Sequence, residues 1–185
     1  YNEDLFRKHN ITTLLTSCPI CLKVFREDYR LDGIEVLHHS QYILRLIEQG
    51  RIAVTQGEQL LTYHDPCELG RGCGIYDEPR DVIGRLGTLS EVSQNREHAF
   101  CCGSSLADTE ITDSQQAAIG RALAGQFAST GASTVVTGCP LCKKTIARHS
   151  AVPVADISEV VARSLRVADR PVQTVENRAS AEIRA

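Results

Sequence analysis

A cysteine pair that closes an apolar stretch and opens an amphipathic one occurs twice in this chain, as LLTSCPICLK around Cys18 and Cys21 and as VVTGCPLCKK around Cys139 and Cys142. Each copy reads as a strand, a Cys-Pro-x-Cys turn and the start of a helix. Proline suits the first helical turn, where its missing N–H costs nothing. The likeness continues downstream, because both copies go on to a short strand and a second helix, with Cys18 and Cys139 offset by 121 residues. A repeated order of this kind predicts repeated supersecondary units.

Short β-branched runs alternate with amphipathic stretches along the rest of the chain, as expected when parallel strands are joined by crossover helices. Strands are predicted near 11–16, 34–38, 59–64, 88–93 and 133–137, and helices over 20–30, 40–50, 78–86, 112–130, 141–149 and 157–166. The expected fold class is α/β, with parallel-sheet units and flanking helices. Residues 1–56 read as the closing half of a first, truncated unit, 57–168 as a complete second unit, and 169–185 as a polar tail expected to be disordered.

Between the two CPxC turns lie Cys67 in YHDPCELGR and the adjacent Cys101 and Cys102 in FCCGSS, giving the spacing C-x33-CC-x36-CxxC. Carboxyl ends of strands in a parallel sheet share one edge, so cysteines that follow strands are brought together there. Helix N-termini favour thiolate over thiol and so prepare the CPxC sulfurs for metal. Five converging thiolates exceed the four that a tetrahedral zinc or a cubane cluster takes. Vicinal cysteines strain a single tetrahedral ion but can grip two irons of a wider cluster, with Gly103 supplying backbone freedom beside them.

On Cys67, Cys101, Cys102, Gly103, Cys139 and Cys142, the chain resembles the cysteine-rich CCG-domain family, typified by the iron-sulfur subunits of heterodisulfide reductases. The resemblance spans about residues 57–168, with 11–50 matching the end of a preceding motif. It implies a non-cubane 4Fe-4S cluster held by Cys67, Cys101, Cys102, Cys139 and Cys142, electron transfer and disulfide reduction, and redox partners carrying flavin or iron-sulfur centres. The retained final CxxC favours the heterodisulfide-reductase-like branch. Cys18 and Cys21 match only the last two positions of a first site, for which a second cluster or zinc are both open.

Composition narrows the alternatives. The chain is 42% hydrophobic with a formal charge of −3, which gives no basic field for a nucleic-acid partner. No apolar run is long enough to span a bilayer, and no signal peptide opens the chain. Clustered cysteines in such a core-rich sequence point to reduced thiols and a cytoplasmic setting rather than a secreted disulfide framework, so the Asn10 sequon is read as chance. The sequence holds no Met and opens in mid-pattern; the natural N-terminus is therefore expected upstream, where missing parts would supply any membrane association.

Two other readings stay open: a zinc-stabilised structural or interaction module, and thioredoxin-like thiol–disulfide exchange at Cys139 and Cys142. Cys73 reads as a spare thiol. His38 and His39 are expected as cap or surface residues, His64 and Asp65 as shaping the turn before Cys67, and GRGCG at 70–74 as a flexible rim rather than a nucleotide loop. Arg71 and Arg80 read as solvated surface cations by default, with a role in offsetting cluster charge or holding an anionic substrate as the alternative.

Overall fold

The computed structural model describes residues 1–104 and 111–166. The expected tail at 169–185, and the last two residues of the 57–168 unit, lie outside them.

A short helix α1 (Asn2–Lys8) precedes strand β1 (Thr13–Thr16), helix α2 (Pro19–Glu27), strand β2 (Glu35–His38) and helix α3 (His39–Glu48). Strand β3 (Leu60–His64) leads into a single helical turn, α4 (Cys67–Gly70), then α5 (Asp77–Gly84) and the two-residue strand β4 (Thr88–Leu89). A 3-10 turn at Arg96–His98 precedes the long helix α6 (Asp113–Ser129), and the order closes with β5 (Thr134–Thr137), α7 (Pro140–Ala147), β6 (Val154–Asp156) and α8 (Ile157–Ser164).

Among the described residues the named strands all pair in parallel, and one isolated antiparallel bridge joins Val54 to Leu165. β1 and β2 form a two-stranded sheet, and the second sheet has the order β4-β3-β5-β6. The α/β class with parallel sheets and flanking helices therefore holds. Strand 88–93 is the largest departure from expectation: pairing stops at Leu89, and residues 90–95 form an irregular connection that leads into the 3-10 turn. The helices α1 and α4 and strand β6 complete the set.

Side chains alternate across a strand, and here both faces are covered. Leu61, Tyr63, Val136 and Ala155 pack with Leu44, Val82, Ile83, Leu86, Ile157 and Val160 on the face of α3, α5 and α8. Val135 packs with Leu123 and Phe127 of α6 and Ile146 of α7 on the opposite face, in one cluster with Cys102, Cys139 and Cys142. The thiols are therefore built into the core of that layer.

β1-α2-β2-α3 and β5-α7-β6-α8 share their order and much of their detail. Thr16 pairs with His38 at the end of one strand pair, and Thr137 with Asp156 at the end of the other. His38 and Asp156 each cap the following helix through a reciprocal capping box, with Gln41 and Glu159 at the third helical position.

Candidate metal centre

The register of the larger sheet sets His64 level with Thr137, and Thr137 level with Asp156. Cys67 follows His64 by three residues and Cys139 follows Thr137 by two, so both emerge on the same sheet edge. The vicinal pair arrives on the connection between β4 and α6. Arg71 fastens that connection: its Nη1 donates to the carbonyl of Ala99 at 2.6 Å and to that of Glu97 at 3.2 Å.

The five expected cysteines meet. Cys67 Sγ lies 3.5 Å from Cys101 Sγ, and Cys102 Sγ 3.3 Å from Cys142 Sγ. The vicinal link joins these two couples, and Cys139 shares one buried cluster with Cys102 and Cys142, so the thiols lie together. Cys102, Cys139 and Cys142 are buried, and Cys67 and Cys101 half-buried. A small cavity of about 20 Å³ lies among Cys67, Cys102, Cys139 and Cys142, with Pro19, Ile20, Pro66 and Leu141 as its apolar lining.

Protons are unevenly shared within the set. The neighbouring thiols of Cys102 and Cys67 drive Cys101 far below the ordinary thiol range, helped by the Gly103 amide, while Cys67 is pushed far up by Cys101 and by burial. The thiol of Cys142 holds Cys139 down to about 7 against burial. Cys142 is raised well above the ordinary range by the adjoining sulfurs of Cys102 and Cys139, and then by burial; Cys102 is raised too, chiefly by the adjacent Cys101. Only some of these thiols can ionise together in so small a space without a cation; a metal bound there would displace the retained protons.

Gly103 sits at φ +83°, a left-handed conformation, and its amide donates to Cys101 Sγ at 3.4 Å. The glycine after the vicinal pair thus turns the backbone toward the sulfur.

Cys18 and Cys21 form a second, more exposed CPxC turn at the head of α2, where the Cys21 amide donates to Cys18 Sγ at 3.4 Å. The Cys18 thiol raises the Cys21 pKa first, and the nearby Cys139 also contributes. Cys73 packs beside Leu22, Leu69 and Ile75.

Burial of the histidines and of Arg80 departs from expectation. His38 is a cap, but a fully buried one: its Nδ1 lies 2.8 Å from Ser40 Oγ, and its Nε2 reaches the carbonyl of Gly138 at 2.9 Å. It thereby ties the β2–α3 junction to the residue before Cys139. His39 Nε2 lies 3.1 Å from Asp156 Oδ1, a charge contact without the alignment of a good hydrogen bond. Burial opposes ionisation of Asp156, yet the His39 contact and the bonds from Ser158 bring its pKa below the usual carboxylate value.

Arg80 is not a solvated cation. It is 7% exposed, pairs bidentately with Asp65 at 2.8 Å, bonds Glu91 at 2.6 Å and lies 5.3 Å from the centre of the Tyr63 ring. Asp65 also accepts from the Arg96 amide at 2.8 Å. Arg80 is thus neutralised by carboxylates and serves to fix the turn; Arg71 is committed to backbone carbonyls. The GRGCG segment is a compact turn whose Gly72 amide bonds the carbonyl of Cys67 at 3.0 Å and whose Gly74 amide bonds that of Gly70 at 2.7 Å.

Sequence reasoning missed His64. Asp65 shapes the turn as expected, but the His64 ring meets Phe127 edge-on at 5.9 Å, and one of its ring nitrogens lies within 4.8 Å of the sulfurs of both Cys102 and Cys142. Strand parity was the available signal, since His64 shares the α6 face rather than the face of Leu61 and Tyr63.

Parallel strands that deliver five thiols to one edge define a cysteine-rich α/β domain. Residues 61–147 match the family model of the cysteine-rich domain, CCG, and this segment belongs to that family. It is 34% identical over 181 residues to a Chromohalobacter salexigens protein called "Probable membrane-anchored ferredoxin", covering 89% of this chain and 27% of that one. It is 29% identical to one component of the dihydromethanophenazine:CoB–CoM heterodisulfide reductase of Methanosarcina barkeri, covering 89% of this chain and 44% of that component. To the EtfAB:quinone oxidoreductase of Syntrophomonas wolfei it is 26% identical, covering 89% of this chain and 26% of that protein. The chain therefore spans less than half the length of each of these relatives. Among the described residues, no helix is long and apolar enough to cross a membrane.

Proposed function

We propose that this chain is an iron-sulfur redox domain of a heterodisulfide-reductase-like oxidoreductase. In this reading Cys67, Cys101, Cys102, Cys139 and Cys142 hold a non-cubane 4Fe-4S cluster. The observation that carries it is the joining of the couples Cys67–Cys101, at 3.5 Å, and Cys102–Cys142, at 3.3 Å, through adjacent residues. A mononuclear site has no use for a fifth thiolate, whereas a polynuclear cluster does. The names of the relatives point the same way, since they include a ferredoxin, a heterodisulfide reductase component and a quinone oxidoreductase.

Bound there, the cluster would take up and release electrons singly. The chain's own part is to hold the sulfurs at the sheet edge, line the centre with Pro19, Ile20, Pro66 and Leu141, and limit water at it. Electrons would pass to or from other redox subunits with flavin or iron-sulfur centres, and a small disulfide is the substrate class the reading favours. The 1–56 segment would belong to a preceding unit whose CPxC, Cys18 and Cys21, serves a second cluster or zinc.

Anaerobic purification followed by iron, sulfide and zinc analysis tests the reading. A brown protein with about four irons and acid-labile sulfide fits it. Stoichiometric zinc in a colourless protein supports the second reading, a zinc-stabilised module, which the close grouping of His64, Cys102 and Cys142 favours. Metal-free thiol exchange at Cys139 and Cys142 would leave Cys67, Cys101 and Cys102 dispensable.

A further inference from the structure

His64 ends β3, buried at 2% exposure, and its Nε2 has no hydrogen-bond partner among the described residues. Leaving a buried polar group unsatisfied is costly. The pleat offers the ring no other layer: Leu61 and Tyr63 fill the α3/α5/α8 face, and His64 falls with Val135, Phe127 and the thiols. A histidine ring nitrogen, Cys102 Sγ and Cys142 Sγ all lie within 4.8 Å of one another. These are the two sulfurs that already touch, at 3.3 Å. The register that aligns His64 with Thr137 fixes the ring beside the CPxC turn.

We propose that His64 is the non-thiolate member of the cysteine pocket, its ring N–H donating a hydrogen bond to the sulfur of Cys102 or Cys142 in the loaded centre and raising the potential at which that centre is reduced. The inference rests on the iron-sulfur reading above. A hydrogen bond to sulfur withdraws negative charge from the centre, which favours the reduced form, and such bonds are among the protein's main controls on cluster potential. A thiolate is an acceptor only and a neutral imidazole supplies one N–H donor, so His64 can satisfy the sulfur beside it. Five thiolates already supply the ligand set, which leaves the imidazole an outer position.

The test is an EPR-monitored redox titration of the protein in its iron-loaded form, comparing wild type with His64→Leu, which removes the donor, and His64→Gln, which keeps one. His64→Leu is expected to retain iron and sulfide while its centre becomes harder to reduce by about tenfold in equilibrium constant, equivalent to 59 mV for one electron. His64→Gln is expected to stay closer to wild type than to His64→Leu. In wild type labelled with 15N-histidine, pulsed EPR is expected to show a weak histidine-nitrogen coupling to the centre's spin, a readout that needs no variant to fold. An unshifted potential in iron-loaded His64→Leu, the absence of any histidine coupling, or a strong coupling of the kind direct ligation gives would each overturn the assignment while leaving the iron-sulfur reading intact. A wild-type protein that binds zinc and no iron would instead remove that reading, and this inference with it.

Discussion

Cys102 Sγ and Cys142 Sγ stand 3.3 Å apart although 40 residues separate them in the chain. Two different devices produce the approach. The CPxC turn sets Cys142 in the first turn of α7, and the loop after the 3-10 turn, fastened by Arg71, delivers Cys102.

If these sulfurs hold the metal centre, replacing either Cys102 or Cys142 by Ser is expected to lose most of the bound iron, together with the broad visible absorbance. The drop in affinity should exceed the roughly 10–100-fold typical of losing a supporting residue around a metal. Cys73→Ser should keep the full complement, since Cys73 packs with Leu22, Leu69 and Ile75. Iron and sulfide content per chain is the measurement, and equal loss in all three variants would contradict the assignment.

Arg80→Met is expected to destabilise the fold by about 3 kcal/mol or more, because it strands Asp65, 3% exposed, as an uncompensated buried charge. Part of the cost reaches the site, since Asp65 also holds the Arg96 amide at 2.8 Å on the path to Cys101. Urea midpoints of Arg80→Met and of Asp65→Asn paired with Arg80→Met report this, with the double variant recovering part of the loss.

His38 gives stability a pH dependence of known sign. Burial first, and then the neighbouring His39, lowers its pKa to about 3 in the folded protein from 6.5. The unfolded chain therefore takes up a proton below about 6.5 that the folded chain refuses, so this contribution is complete above that pH and lost as pH falls toward 3. The slope is about 1.4 kcal/mol per pH unit, or roughly 2 kcal/mol between 6.5 and 5. Unfolding free energies of wild type and His38→Gln at those two pH values isolate the effect: the variant should lack this slope.

Gly103→Ala is expected to cost about 1–2 kcal/mol, because the position holds φ +83° and L-residues pay that much in the left-handed region. The added Cβ would also sit 3.4 Å from Ile119 Cδ1. Thermal unfolding should register a lower midpoint, and relaxation of the strain would turn the Gly103 amide from Cys101 and slow loading of the proposed cluster.

Local pattern was enough for the elements whose side-chain periodicity is strong. α2, α3, α7 and α8, and strands β1, β2, β3 and β5, lie within a few residues of their expected spans, because a CPxC turn, a capping residue or a β-branched run marks each one locally. The strand expected at 88–93 ended at Leu89. Pairing partners decide an edge strand's length, and no local pattern contains them.

The sequence by itself determined that thiols would gather: cysteines that follow parallel strands must share an edge, and that argument needs only chain order. Tertiary structure decided what surrounds them. Burial of Arg80 depended on Asp65 and Glu91 arriving from other elements, since a charge leaves water only where opposite charges already wait. His38 could become a strut to Gly138 only because the small sheet settles against the larger one, a contact between residues 100 positions apart. His64 likewise gained its place from the side of the pleat that the helices left for it, and that side is fixed by packing rather than by the identity of any neighbour in sequence.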